Sequence, residues 1–507
     1  MRAAVLSSTL VSAACLAAGL AVAQRGLEAA GLLVLLIAVF PLTPYWQLTL
    51  YVLLGYLTIS GLVSAMLYPW EGARLIPHVL TAWVYAGFVV QCLLRRTRME
   101  LHGPVVPAVG LVSALWLLQT LNPGQSSPGV AILGLVTYMY FVPLVVVGYQ
   151  LLADPAQVRR FAILMSLTAF PVVAVGTWQF FAGPDSFGVL GPGFQPFVVS
   201  SGNVTVFRFP ATFSFTTQLG WYLGLELLLT AGAVVALRGP ARWLAVGSFV
   251  LCMFLAAISG ARTLYLVAPA SLVCLAFLLC RERARVGAAA AHSMPLPEGR
   301  SESAPAPSTR VSLVPVTLLA ALGLGMAILL AQPVLEARLA TLDPSGEDNW
   351  ADLSFRVTWT FEQAARLFES DVTWLLGHGT GTASPYLWRL DADRLVAEAF
   401  FAEVLYQLGI LGPIAYLVMF GIILAQGARS MTSSRTGGDW VWSRVFYVYV
   451  FQVIGTTVLT GGEALVYFPS NVFFWLLLGG LLSRGGPRAL YSVGRFPTSR
   501  AWRAPTE

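Results

Sequence analysis

The chain contains no lysine: all 30 of its basic residues are arginine. That absence removes the ammonium group that a Walker-type phosphate loop carries after its glycines. Charge of either sign is scarce, with 11% charged residues against 57% hydrophobic ones and a mean hydropathy of +0.74. Cysteine is scarce too. Cys15, Cys92, Cys252, Cys274 and Cys280 lie in or at the edges of apolar runs, without metal-ligand spacing, and read as small packing residues. They carry no information about redox compartment. The 4 histidines form no ligand cluster, so neither a metal nor another cofactor is required on that ground.

What the sequence does have is a series of apolar runs of roughly 18–25 residues, the length that crosses a hydrocarbon core about 30 Å thick. It therefore reads as an all-α polytopic membrane protein with about 12–14 transmembrane helices. Fourteen candidate spans cover residues 3–23, 26–42, 47–68, 76–94, 104–121, 129–152, 161–182, 217–237, 243–260, 263–280, 312–331, 404–426, 445–466 and 469–483. The first, which follows Met1-Arg2 and ends Ala21-Val22-Ala23, also has the outline of a cleaved signal peptide; retaining it gives a consistent topology.

Arginine placement orients these spans. With both termini inside, the inner segments take Arg2, the runs at 95–98, 159–160 and 238–242, five between 281 and 310, three between 429 and 444, and five from 484 to 503, which is 21 of the 30. The net charge of +6 thus reflects membrane topology and gives no reason to invoke nucleic acid. The chain divides into N-terminal spans (1–182), further spans with an outer loop at 183–216 (183–280), and a cytoplasmic Ala/Pro/Ser-rich linker (281–311) expected to be disordered. One span (312–331), an outer loop of short helices (332–403), the last three spans (404–483) and a cytoplasmic tail (484–507) complete it.

The outer loop opens with a charged 64-residue insert at 332–395 and runs into Glu398 and Glu403. Ser354 to Ser370 is helix-like, with Val357, Phe361, Ala364 and Phe368 on one stripe. The run Gly377-His378-Gly379-Thr380-Gly381 forces a non-helical turn. It is either a tight connection between helices or a backbone cradle for a phosphate or sugar. His378 is read either as a ligand there or as a polar residue in an exposed loop.

Nine arginines fall outside the inner segments, and three of them stand out. Arg262, between two apolar spans, is costly at the bilayer edge unless paired, snorkelling to headgroups or bound to an anion. Arg208 and Arg356 are the others. Guanidiniums converging at the outer interface suit a diphosphate, whose oxygens each can bind in bidentate fashion.

Arg208-x-x-Ala211-Thr212-Phe213, then Ser259-x-x-Arg262, then a large loop holding Arg356-x-x-Trp359 and Gly377-His378-Gly379-x-Gly381, then a Glu398-to-Gly409 helix ending Gly409-Ile410-Leu411-Gly412, follow one another over roughly residues 200–420. In this order they resemble the O-antigen ligase/polymerase superfamily. The resemblance implies an inverting, multi-helix glycosyltransferase in the inner membrane of a Gram-negative cell, acting on undecaprenyl-diphosphate-linked glycans at the periplasmic face. It leaves open a chain-length regulator as a further partner. In the family's ligases the helix after the loop characteristically opens with histidine, where this chain has Glu398-Ala399. The departure points to the polymerase-like branch, the polysaccharide repeat-unit polymerases.

The chemistry needs a hydroxyl made more nucleophilic and a diphosphate whose developing charge is stabilised. Glu398 is the candidate general base, with Glu403 the weaker alternative. Arg208, Arg262 and Arg356 are candidate diphosphate ligands, beside Gly377, His378, Gly379 and Gly381. Glu398 could instead pair with Arg394 on the same helix face. A flippase or other transporter is the reading from a different class, with Glu226 inside an apolar span as the acid on its path. The missing internal repeat and the one-sided insert weigh against it.

Overall fold

A computed structural model of the chain describes residues 45–67, 75–95, 103–124, 127–183, 186, 197–201, 204–292, 373–383, 399–433, 439–460 and 464–484. Among these, eight helices are long and apolar enough to cross a membrane. The protein is an all-α polytopic membrane protein. The predicted spans 3–23, 26–42 and 312–331, the stripe at 354–370, Arg356 and Glu398 lie outside the described residues.

The described helices are α1 (Trp46–Met66), α2 (Ile76–Arg95), α3 (Val105–Gln119), α4 (Pro128–Met139), α5 (Leu144–Leu151), α6 (Pro155–Ala182), α7 (Thr216–Ala236), α8 (Pro240–Ile258) and α9 (Arg262–His292). After these come α10 (Thr373–Leu376), α11 (Phe400–Leu408), α12 (Leu411–Ser433), α13 (Asp439–Thr460) and α14 (Ser470–Leu482). Two of the starts follow directly from sequence. Ser127 accepts a hydrogen bond from the Val130 N–H and Asp154 one from the Ala156 N–H, each followed by proline at the first helical position.

Several boundaries differ from expectation for local reasons. The span expected at 129–152 stands as one span, Pro128–Leu151, but its ladder is interrupted between α4 and α5 ahead of Pro143, which has no N–H to continue it. The span expected at 404–426 is instead the short α11 and the long α12, divided at Gly409, whose φ of 63° no helix allows. The linker expected from 281 is helical as far as His292: its Arg-Glu-Arg-Ala-Arg and Ala288 to Ala291 stretches favour helix, and Glu282 pairs with Arg444 at 2.9 Å. The outer loop 183–216 holds a hairpin, β1 (Phe197–Ser201) antiparallel to β2 (Val204–Arg208), in register Phe197 to Arg208. Its sequence signal was present as Gly202-Asn203 between two β-branched runs.

Contacts at the helix ends sort the described segments into two groups. At one end the Leu62 N–H donates to the Thr212 carbonyl (2.9 Å) and Asn122 Nδ2 to the Gly377 carbonyl (3.1 Å). At the other, Tyr51 donates to Gln157 Oε1 (2.8 Å), Arg484 Nη2 to the Leu152 carbonyl (3.0 Å), and Arg444 meets Glu282. Every pair joins segments that the arginine count assigns to one face, the first group outside and the second inside. Close approaches of Gly232 to Val445 and of Gly224 to Gln452 set α7 antiparallel to α13. The Trp116 to Tyr416 hydrogen bond and the approach of Gly103 to Gln426 do the same for α3 and α12. The starts of α7, α9, α11 and α12 therefore lie at the same end as the C-terminus of α3.

Helix α7 is the centre of the bundle, buried on all sides from Trp221 to Val235. A helix apolar all round is the kind that can be so enclosed. Glycine sets the closest helix contact. A Cβ at Gly148 of α5 or Gly479 of α14 would lie under 3.0 Å from the facing backbone carbonyl of the other helix, so these two backbones touch directly. Small residues at such crossings allow close van der Waals packing where lipid supplies no hydrophobic drive.

Candidate functional site

The segment 373–383 forms a strap across the end of the bundle that the arginine count assigns to the outside. It leaves the short helix α10, crosses α11, and reaches the C-terminus of α3 and the first turns of α4. Gly377, Gly379 and Gly381 have φ of 71°, 102° and 88°, a region glycine reaches without steric penalty. The strap also comes so near α4 that a Cβ on Gly381 would sit under 3.0 Å from the Val130 carbonyl, and one on Gly134 under 3.0 Å from the Gly381 backbone. Glycine is thus needed here on both sides of the contact.

The N–H groups from Gly377 to Thr382 are all engaged within the protein. Gly377 donates to the Thr373 carbonyl (2.7 Å), His378 to Tyr406 (2.9 Å), Gly379 to Gln407 (3.1 Å) and Thr380 to Gln119 (3.3 Å). Gly381 donates to Gln407 Oε1 (2.6 Å) and Thr382 to the Gly379 carbonyl (3.4 Å). The donors that a backbone cradle for a phosphate or sugar would use at Gly377, Gly379 and Gly381 are committed within the protein, which favours the reading of the run as a tight connection between helices. His378 is half-buried with its ring 4.3 Å from that of Tyr406, so it is not a loosely exposed loop residue.

Below the strap lies a buried polar chain that the sequence reading missed. The Tyr138 hydroxyl of α4 donates to Glu403 Oε2 at 2.6 Å and accepts from Gln407 Nε2 at 2.8 Å. Through Gln407 Oε1 the chain reaches the Gly381 N–H. Trp116 of α3 stacks on Tyr138 with centroids 4.1 Å apart and an angle of 14°, and donates from its indole to Tyr416 at 3.0 Å. The Thr380 hydroxyl closes the frame on the Trp116 carbonyl at 2.8 Å. Tyr138, Glu403 and Gln407 are thereby bolted into one unit spanning α4, α11 and the strap.

Glu403 is fully buried. A general base must come within hydrogen-bond reach of the hydroxyl it deprotonates, and Glu403 is enclosed and engaged by Tyr138. This arrangement suits a group that positions α11 and favours Glu398 over Glu403 as the candidate base. One signal could have revealed the unit: Glu403 and Gln407 are four apart and share a helix face. Their partner Tyr138, in a distant apolar run, carried no such mark.

Arg208 ends β2 as a half-buried residue. The residues after it are structural. Phe209, Ala211, Thr212 and Phe213 are buried, Thr212 Oγ1 donates to the Thr58 carbonyl, and Gln179 Nε2 donates to the Ala211 carbonyl at 3.0 Å. Ala211 has a φ of 53°, left-handed for a non-glycine residue, so this peptide is held in one shape by its surroundings. Arg262 begins α9. Arg208, eight residues before the start of α7, and Arg262, beside Ala261 whose Cβ faces Gly220 of α7, both flank the outer end of that central helix. Glu398 directly precedes Ala399, the N-cap of α11.

Among the described residues no group of three His, Cys, Asp or Glu could hold a metal ion. The acidic pair Asp391-Ala392-Asp393 is also in the insert, outside the described residues, and its alternate carboxylates are of the type that suits magnesium or manganese. The expectation of metal independence therefore rests on histidine and cysteine spacing alone. No protein-family model matches this sequence, and no curated protein matches it.

Proposed function

We propose that this chain polymerises undecaprenyl-diphosphate-linked oligosaccharide repeat units at the outer face of the membrane that holds it, the periplasmic face of an inner membrane. One arrangement supports the reading. The strap and α11 are bolted to α3 and α4, so Glu398 departs from a fixed platform at the same end of the bundle as the segments bearing Arg208 and Arg262. Positioned groups of this kind lower a barrier because they need no reorganisation during the reaction.

In the proposed step Glu398 accepts the proton of an acceptor hydroxyl. The hydroxyl oxygen bonds to the anomeric carbon of the donor sugar, and the bond from that carbon to the diphosphate oxygen breaks. The departing lipid diphosphate takes both electrons, and Arg208, Arg262 and Arg356 stabilise its charge. Attack opposite the leaving group inverts the anomeric centre.

Arg262→Ala is expected to abolish polymer while the protein stays in the membrane at wild-type abundance. Normal chain lengths in that variant would remove Arg262 from the site. Glu398→Gln should lower polymer formation by 10²-fold or more, the scale of a lost general base. A strain lacking the chain separates the function classes through its lipid-linked glycans. Single repeat units accumulating outside support the polymerase. Long polymer lacking its final acceptor indicates a ligase, and units trapped on the cytoplasmic side indicate a flippase.

A further inference from the structure

Among the described residues two acids are fully buried, and they differ. Glu403 accepts the Tyr138 hydroxyl. Glu226, midway along α7, has neither carboxyl oxygen hydrogen-bonded, and no arginine or histidine among the described residues pairs with it. On the side of its neighbour Tyr222, a seam of small polar side chains runs between α6, α7 and α8. There the Tyr222 hydroxyl lies 3.2 Å from Thr168 Oγ1, and Ser248 Oγ donates to the Ser166 carbonyl at 2.6 Å. Among the described residues, the titratable groups within electrostatic reach of Glu226 are Tyr222 on its own helix and Cys252 on α8, and neither is a cation.

An unpaired carboxylate in such surroundings is among the most costly groups a membrane protein can bury, and a neutral acid avoids that cost. We infer that Glu226 is a membrane-embedded proton-binding site, filled from the medium, in the polar seam between α6, α7 and α8. The reading is independent of the glycan chemistry at the outer end. A proton stored at the centre of the most enclosed helix gives the bundle a group that changes charge whenever water reaches the seam. That is the element a proton-coupled movement of these helices requires.

The site is testable on the full-length protein in detergent or vesicles with a hydrophobic carbodiimide. The acid O–H adds across one C=N bond of the reagent. The proton passes to nitrogen and the carboxyl oxygen bonds to the central carbon, and the O-acylisourea rearranges to a stable N-acylurea. Peptide mass spectrometry should find the adduct on Glu226, not on Glu403, with no labelling of Glu226 by a water-soluble carbodiimide. Infrared difference spectra of wild type against Glu226→Gln should show a protonated carboxylic acid band that shifts in deuterated medium. No adduct on Glu226 with the hydrophobic reagent overturns the inference, even where Glu226→Gln fails to accumulate. A carboxylate band in place of the acid band, or an acid band that does not shift on deuteration, overturns it too.

Discussion

Gly381→Ala is expected to remove the folded protein from the membrane rather than to leave a stable protein without activity. The new methyl group would meet the Val130 carbonyl closer than real Cβ atoms approach, and the backbone it sits on has a φ of 88°. A left-handed non-glycine residue costs about 1–2 kcal/mol, and forcing a methyl into a closed contact adds about 1–3 kcal/mol. A sum of about 3 kcal/mol or more is a large share of the stability of a typical domain. Immunodetection in membrane fractions and thermal unfolding of purified protein measure it. The same substitution distinguishes the two readings of the glycine run. If Gly381→Ala accumulates and unfolds at the wild-type temperature while only glycan transfer is lost, the strap is a ligand cradle and its packing role is refuted.

Tyr138→Phe should destabilise the protein by about 3 kcal/mol, because one hydroxyl serves two buried partners. Without it Glu403 Oε2 loses its 2.6 Å donor and Gln407 Nε2 its 2.8 Å acceptor, deep enough that water does not replace them. The aromatic face that stacks on Trp116 is kept, so the loss isolates the polar chain from the packing. A double-mutant cycle with Glu403→Gln makes the claim quantitative: groups in direct contact couple by about 0.5–3 kcal/mol, whereas independent sites add. Additive losses in thermal unfolding would show that the two residues do not act as a unit. Glu403→Gln is further expected to retain transfer activity in proportion to the protein that folds. A loss of turnover at unchanged stability would restore Glu403 as a base.

Membrane spans were legible because crossing a bilayer is a local demand. About twenty consecutive apolar residues answer it whatever surrounds them, and α1, α2, α3, α7 and α14 begin and end within about two residues of expectation. Pairing of segments by face was legible as well. Arginine bias acts on each loop separately, and the Glu282–Arg444 and Asn122–Gly377 contacts join loops that it had put on one side. Boundaries failed where one residue overrides hydropathy, as Gly409 does between α11 and α12.

The outer site was legible only in its outline. The strap's glycines were visible in the sequence, but their reason was not. Gly381 answers to Gly134 and Val130, about 250 residues away, and the donors that suggested a phosphate cradle are spent on Gln119, Tyr406 and Gln407. Glu403 drew notice as an acid beside Glu398; its enclosure by Tyr138, 265 residues distant, is a property of packing alone. Glu226 shows the same division. The sequence placed an acid in an apolar run, and the tertiary structure brings no cation to it among the described residues.

The sequence by itself determined that the chain lives in a membrane, how its spans alternate, and which loops face the same way, because hydropathy and charge bias are read segment by segment. Only the tertiary structure decided which polar groups are committed and which are left over. Satisfying a buried donor or carboxyl depends on atoms brought together from distant parts of the chain, and no local pattern encodes them.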